Sequence, residues 1–122
     1  MKRKEKDHDG PVCVLTLLFL FFAFFFNSFA TVPGQEGLFS IAARFNHACH
    51  PADNITYTYD PSLSCLVMSV LAERIPAGEE LTISYGSHKP STLYLWYGFR
   101  CRCGACPGMT DEEVRRLENS IW

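Results

Sequence analysis

The fold class that this sequence predicts is β-rich α+β, and three observations predict it. Residues 54–59 alternate β-branched and aromatic side chains, 65–72 are nearly all apolar, and 81–85 form a third short run of the same kind. Turn-forming residues separate them: Asp60-Pro61-Ser62, then Pro76-Ala77-Gly78. Two short helical patterns follow at 90–97 and 111–120. With 122 residues there is room for one small domain.

Taken in order, Thr31 to Gly37 carries Pro33, Gly34 and Gly37 and reads as a loop or linker. Gly37-Leu38-Phe39 is expected as a short strand, and Ile41 to Phe45 as one helical turn. Pro51 to Asn54 is a turn, and Asn54 to Tyr59 the first full strand. Cys65 to Ala72 is expected to be central in its sheet, because apolar residues on both faces call for burial on both. Leu81 to Tyr85 is the third strand. Pro90 to Tyr97 places Leu93 and Tyr97 at i and i+4, on one helix face. Asp111 to Ser120 is a helix with Thr110 as N-cap and Glu113 three residues on, the pattern of a capping box.

The formal net charge of −2 gives no basic surface for direct nucleic-acid binding. Charge is uneven along the chain. Lys2, Arg3, Lys4 and Lys6 precede the apolar run from Val12 to Phe26, where Thr16 alone is polar. Asn27 and Ser28 interrupt that run, and Phe29 and Ala30 resume it. As a signal peptide it has a basic start, an apolar middle and Ser28-Phe29-Ala30 as a small-x-small cleavage site. As a membrane anchor it reaches a span only if Asn27 and Ser28 are tolerated, so membrane association is confined to residues 12–30. If the segment is genuine, it is expected to be one continuous helix standing apart from the rest.

Six cysteines in a short chain also fit a disulfide framework. Cys101, Cys103 and Cys106 form a C-x-C-x-x-C cluster, the crowding a metal site uses. Three thiols so close together cannot easily complete a tetrahedral site, so a fourth ligand is expected from elsewhere, and Cys49 is the candidate. One structural zinc ion held by Cys49, Cys101, Cys103 and Cys106 would pin the tail to the Asn46-His47 segment. His50 is the alternative ligand. Cys13 and Cys65 stand outside this scheme, and Cys65 reads as a small apolar core residue.

Three motifs carry a resemblance. Asn46-His47-Ala48-Cys49, Gly78 to Tyr85, and Tyr97 to Cys106 with its Tyr-Gly-Phe-Arg lead-in resemble, in this order, the C-terminal half of a SET domain. The third runs on into the family's cysteine-rich post-SET segment. The spacing is similar to that of MYND-type and related fungal SET proteins. The resemblance runs from about Gly37 to Cys106 and implies a partial SET fold of small antiparallel sheets with a pseudoknot-like C-terminus. The chain then divides into a basic start, hydrophobic segment and linker (1–36), the C-terminal half of a SET domain (37–99), the post-SET zinc segment (100–108) and a C-terminal helix (109–122). The chain departs from the family in four ways. Ala48 replaces a serine, and Ala52 and Asp53 lengthen the loop before Asn54. The Gly-x-Gly cofactor loop with its strands is missing, as are MYND-type zinc ligands. The apolar run stands where those strands belong, which adds a third reading of it: an artefact of gene assembly, with translated intron in place of an exon.

The resemblance implies protein-lysine N-methylation with S-adenosyl-L-methionine as cofactor and a histone or non-histone protein lysine as substrate. The reaction is a direct displacement, governed by alignment and electrostatics. By resemblance Asn46, His47 and Phe99 bind the cofactor, Tyr97 lines the lysine channel, and Tyr85 is the catalytic tyrosine at the methyl in flight. Glu79 and Glu80 read as a solvated turn, His88 as an exposed loop residue, and Tyr94 and Trp96 as core or surface. With only half of the cofactor pocket encoded, a truncated methyltransferase, or one whose exons are wrongly assigned, is the expectation. A non-catalytic, zinc-stabilised protein-binding remnant is the alternative, and a membrane-anchored or secreted cysteine-rich protein a further one. The localisation is nuclear or cytoplasmic if the first segment is an artefact, and membrane otherwise.

Overall fold

The alternating segment and the apolar segment after it form a hairpin, the largest sheet in the computed structural model, which describes residues 14–121. The elements are α1 (Val14–Asn27), β1 (Ser28–Ala30), β2 (Glu36–Leu38), a 3-10 turn at Ala42–Arg44, β3 (Asn46–His47), β4 (Ile55–Asp60), β5 (Cys65–Val70), β6 (Thr82–Ile83), α2 (Pro90–Tyr97) and α3 (Asp111–Ile121). β4 and β5 pair antiparallel from Ile55↔Val70 to Asp60↔Cys65. Asp60 closes their turn, its Oδ1 accepting from the Ser62 N–H at 2.8 Å and the Ser62 hydroxyl at 2.6 Å. β1 and β2 make a second antiparallel pair, with Phe29 opposite Gly37. β3 and β6 pair in parallel, Asn46 with Thr82 and His47 with Ile83. The partial, small-sheet α+β architecture is therefore present, with one parallel pair among the antiparallel ones.

Phe29, Ala42, Ile55 and Ile83 form the core, and Phe39, Phe45, Tyr57, Leu66 and Met68 pack around them. β5 is not central. Among the described residues it pairs on one edge only, with β4, and its alternation puts Leu66 and Met68 inward while Val67 and Val70 are exposed. Cys65 is half-buried, and Cys13 lies outside the described residues.

The apolar run is neither one helix nor detached. Its helix ends at Asn27, whose Nδ2 donates to the Ala23 carbonyl at 2.7 Å. The chain then turns into β1, because burying Phe29 against Tyr57 and Phe39 outweighs continuing the helix. Ser28, Phe29 and Ala30 are thus strand residues, with Phe29 in the core. Phe25 and Phe26 meet Trp96 and Tyr97 of α2, with ring centroids 6.3 and 5.4 Å apart. Upstream, Leu17 to Phe22, Phe24 and Phe25 are exposed. The fourteen described residues of this helix span about 21 Å. Among the described residues no helix is long and apolar enough to cross a membrane.

α2 starts with Pro90 at its first turn and buries Leu93 completely. The capping box of α3 forms as its sequence predicts. The Glu113 N–H donates to Thr110 Oγ1 at 3.2 Å, and the Thr110 N–H to Glu113 Oε2 at 2.8 Å. Tyr94 ties α2 to α3 by donating its hydroxyl to Glu118 Oε1 at 2.6 Å.

Candidate functional site

The parallel β3–β6 pair is what assembles the site. It is short, so side chains reinforce it. Asn54 Oδ1 accepts from the Thr82 N–H at 2.9 Å, and Asn54 Nδ2 donates to the Glu80 carbonyl at 2.8 Å. Asn46 Nδ2 donates to Glu80 Oε1 at 2.6 Å. Glu80 is therefore a clamp on Asn46, and Glu79 reaches Asn54 Nδ2 at 3.4 Å, so the pair is more than a solvated turn.

With the two segments locked, the aromatic residues converge. The Tyr85 ring lies 4.9 Å from that of Tyr97 and 5.1 Å from that of His47, and Phe99 lies 5.9 Å from His47. The turn between Tyr97 and Phe99 depends on Gly98, which caps α2 at φ 74° and donates its N–H to the Tyr94 carbonyl. A residue with a Cβ is strained there. Asn46, His47, Tyr85, Tyr97 and Phe99 all line one cavity of about 510 Å3, joined by Phe26, Asn27 and Trp96. On the other side of Tyr85 and Tyr97 a second cavity of about 300 Å3 runs between Phe29, Phe45, Tyr57 and Ser84. Tyr85 and Tyr97, together with Phe26 and Asn27, line both cavities and make an aromatic wall common to them.

Tyr85 ends this wall held at three points. Its N–H donates to His47 Nδ1 at 3.0 Å, its hydroxyl donates to the Phe45 carbonyl at 2.7 Å, and its ring packs on Tyr97. Burial, and then the neighbouring Tyr97, push its phenol above the ordinary range, so it stays a neutral donor at physiological pH. His47 is pulled down, by burial first and by His88 second, so it is a neutral imidazole.

Behind this wall stand the four thiols. Sγ atoms of Cys49, Cys101, Cys103 and Cys106 all lie within 4.8 Å of one another. Cys49 to Cys101 and Cys103 to Cys106 are each 3.8 Å apart. A disulfide needs about 2.05 Å. Four sulfurs about 2.3 Å from a central zinc stand about 3.8 Å apart along the edges of their tetrahedron, so the donor set fits that ion. Burial raises the Cys49 and Cys101 thiols. At Cys103 burial also acts upward, but hydrogen bonds, led by the backbone of Cys49 and of Ala105, bring it down to about 6. His50 is turned outward to Asp53, 3.0 Å away, and is not part of the cluster.

All five residues read from the sequence as cofactor, channel and catalytic positions thus meet at one place, and all four cysteine ligands at another. The sequence reading missed Phe26 and Asn27, which enter the cavity from the apolar helix, and Trp96, which borders it. His88 is not a free loop residue. It packs on the rings of Trp96 and Tyr97, 5.6 and 6.4 Å away.

The small sheets and three helices are consistent with a partial SET-domain fold. The sequence model of the SET domain matches residues 2–86, and the chain belongs to that family. Two relatives are similar to it. Mouse protein-lysine N-methyltransferase SMYD4 is 30% identical over 82 residues, covering 61% of this chain and 10% of its own length. The Drosophila melanogaster SET domain-containing protein SmydA-8, isoform B, is 34% identical over 96 residues, covering 70% of this chain and 20% of its own. The chain therefore spans a fifth or less of these relatives. No solved structure matches it.

Proposed function

We propose that this domain contributes the substrate-side and zinc-side half of a SET-type protein-lysine N-methyltransferase site that uses S-adenosyl-L-methionine. The observation that carries the reading is the shared cavity of Asn46, His47, Tyr85, Tyr97 and Phe99, backed by a four-thiol cluster. Asn46, clamped by Glu80, and the edge of His47 hold the cofactor's polar groups, and Phe99 offers its face to the adenine. Bound there, the cofactor supplies an electrophilic methyl group on sulfur. The Tyr85 oxygen, whose proton goes to the Phe45 carbonyl, would turn a lone pair to that methyl group and stabilise developing charge. Tyr97 lines the passage for the aliphatic stem of a protein lysine, and an alkylammonium gains cation–π attraction there. Zinc on Cys49, Cys101, Cys103 and Cys106 would fix the Phe99 segment against β3. Thiolates and a cytosolic methyl donor together suit a reducing compartment, nuclear or cytoplasmic.

A specific observation favours a second reading. Phe26 stands against Tyr97 in the cavity that the cofactor would enter. In that arrangement the domain is a zinc-stabilised module for binding protein, with no cofactor. Equilibrium binding of labelled S-adenosylmethionine to the zinc-loaded chain separates the two. Saturable binding weakened by Phe99→Ala and Asn46→Ala supports the methyltransferase reading. No binding, by this chain or by the chain extended with a family Gly-x-Gly half, overturns it.

A further inference from the structure

His47 touches the thiol cluster and the tyrosine segment at once. Its Nδ1 lies 3.0 Å from the Tyr85 N–H, and its Nε2 lies 3.2 Å from Cys49 Sγ. A backbone N–H only donates, so the Tyr85 contact assigns Nδ1 as the acceptor nitrogen, with the Ile83 carbonyl also facing the ring. In a neutral ring the proton then sits on Nε2, aimed at the sulfur. We propose that His47 is a positioning residue that couples the metal site to Tyr85: its Nε2–H donates to the Cys49 thiolate while its Nδ1 holds the Tyr85 backbone.

This rests on the zinc reading above and goes beyond it, because it assigns the imidazole ring a task separate from any contact with the cofactor. Cys49 is two residues from His47 in sequence, while Tyr85 is 38 away, and the ring joins the two beside the backbone bond from the Ala48 N–H to the Ile83 carbonyl. When Cys49 is bound to metal, its sulfur is fixed and carries negative character, and the N–H···S bond pins the imidazole plane. The pinned Nδ1 then sets the height of the Tyr85 backbone, and with it the place of the phenol in the wall common to the two cavities. Metal loss leaves the ring with one tether instead of two.

Two substitutions separate the ends of this bridge. In His47→Gln the side-chain amide N–H reaches the place of Nε2 and keeps the donor to sulfur, but no acceptor faces Tyr85. In His47→Asn the side-chain oxygen stands near the place of Nδ1 and keeps the acceptor, but the donor to sulfur is gone. The full chain is compared with both variants for zinc affinity, by chelator competition, and for hydrogen exchange at the Tyr85 amide. His47→Asn is expected to lose about 10- to 100-fold in zinc affinity while the Tyr85 amide stays protected. His47→Gln is expected to hold zinc within a few-fold while that amide exchanges fast. Equal losses of both readouts in both variants overturn the proposal, since they mark general loosening.

A measurement on the unaltered chain guards against misfolded variants. With cadmium-113 in place of zinc and nitrogen-15 in the histidines, His47 is expected as the Nε2–H tautomer with a scalar coupling to cadmium through sulfur. An Nδ1–H tautomer overturns the proposal even if the metal binds. If the unaltered chain takes up no metal and Cys103→Ala behaves identically, the zinc reading itself has failed, and the coupling falls with it.

Discussion

The hydroxyl of Tyr85 donates to the backbone carbonyl of Phe45 at 2.7 Å, across forty positions of sequence. The phenol is thereby anchored to the residue that precedes Asn46, and the tyrosine and the Asn-His strand move as one body. The bond uses only the hydroxyl proton, so the oxygen's lone pairs stay available as acceptors toward a bound group.

Tyr85→Phe removes this anchor and leaves the Phe45 carbonyl without its partner. The fold is expected to lose about 1 kcal/mol, the usual net worth of one such bond, read from the denaturant midpoint. In a chain joined to a complete cofactor half, turnover should fall on the order of a hundredfold while cofactor affinity stays within a few-fold. Unchanged turnover with labelled cofactor removes Tyr85 from the reaction.

Zinc uptake should depend on pH in a stated direction. The Cys49 and Cys101 thiols are raised, chiefly by burial, so each must release its proton to bind a metal. Cys103, at about 6, is already a thiolate at neutral pH. Apparent zinc affinity is therefore held at high pH and lost as pH falls. It should drop by at least about two orders of magnitude per pH unit, since these two thiols each release a proton on binding. Chelator competition across a pH series reads this slope, and a flat profile would rule out a thiol-only site. Cys103→Ala should leave less than one zinc per chain by elemental analysis.

The exposed rings of α1 should govern association. Phe19 is 72% and Phe21 63% exposed, on a helix with apolar residues on every side, so the isolated chain is expected to self-associate. Replacing Phe19, Phe21 and Phe22 with serine should give a monomer by light scattering. The ring contacts of Phe25 and Phe26 with α2 should persist, because those residues are untouched. Continued association in this variant would place the sticky surface elsewhere.

Thr110→Ala should lower stability by about 1 kcal/mol, the usual cost of losing a hydroxyl N-cap. The loss should appear first as faster amide exchange at Glu113, whose N–H the hydroxyl accepts. Exchange at Leu93, fully buried in α2, should change only through global unfolding.

Local signals made much of this fold legible. The alternation of Ile55 to Asp60, Pro90 at a helix start and the Thr110–Glu113 box each act within a few residues, and each forms where the sequence places it. The cysteine spacing was legible because the chemistry of four soft ligands is restrictive. What stayed hidden depends on distant partners. Phe29 leaves an apolar run to become core only because Tyr57 and Phe39 wait for it. The apolar segment at β5 reads as central, yet among the described residues it has a neighbour on one edge only, which no local pattern announces. Glu80 is solvated, as its sequence suggests, yet its bond to Asn46, 34 residues away, is not legible locally.

The parallel pairing of Asn46–His47 with Thr82–Ile83 has a temporal consequence. Hairpins such as β4–β5 close small loops and form early, whereas parallel pairing and the meeting of Cys49 with Cys101, 52 residues on, must close large ones. The order of maturation is therefore hairpins first, the β3–β6 seam next and metal capture last. With zinc held on the four thiols as proposed, its supply would then set how quickly newly made chains become resistant to proteolysis. A zinc-starved chain would linger with its hairpins formed and its aromatic wall unassembled.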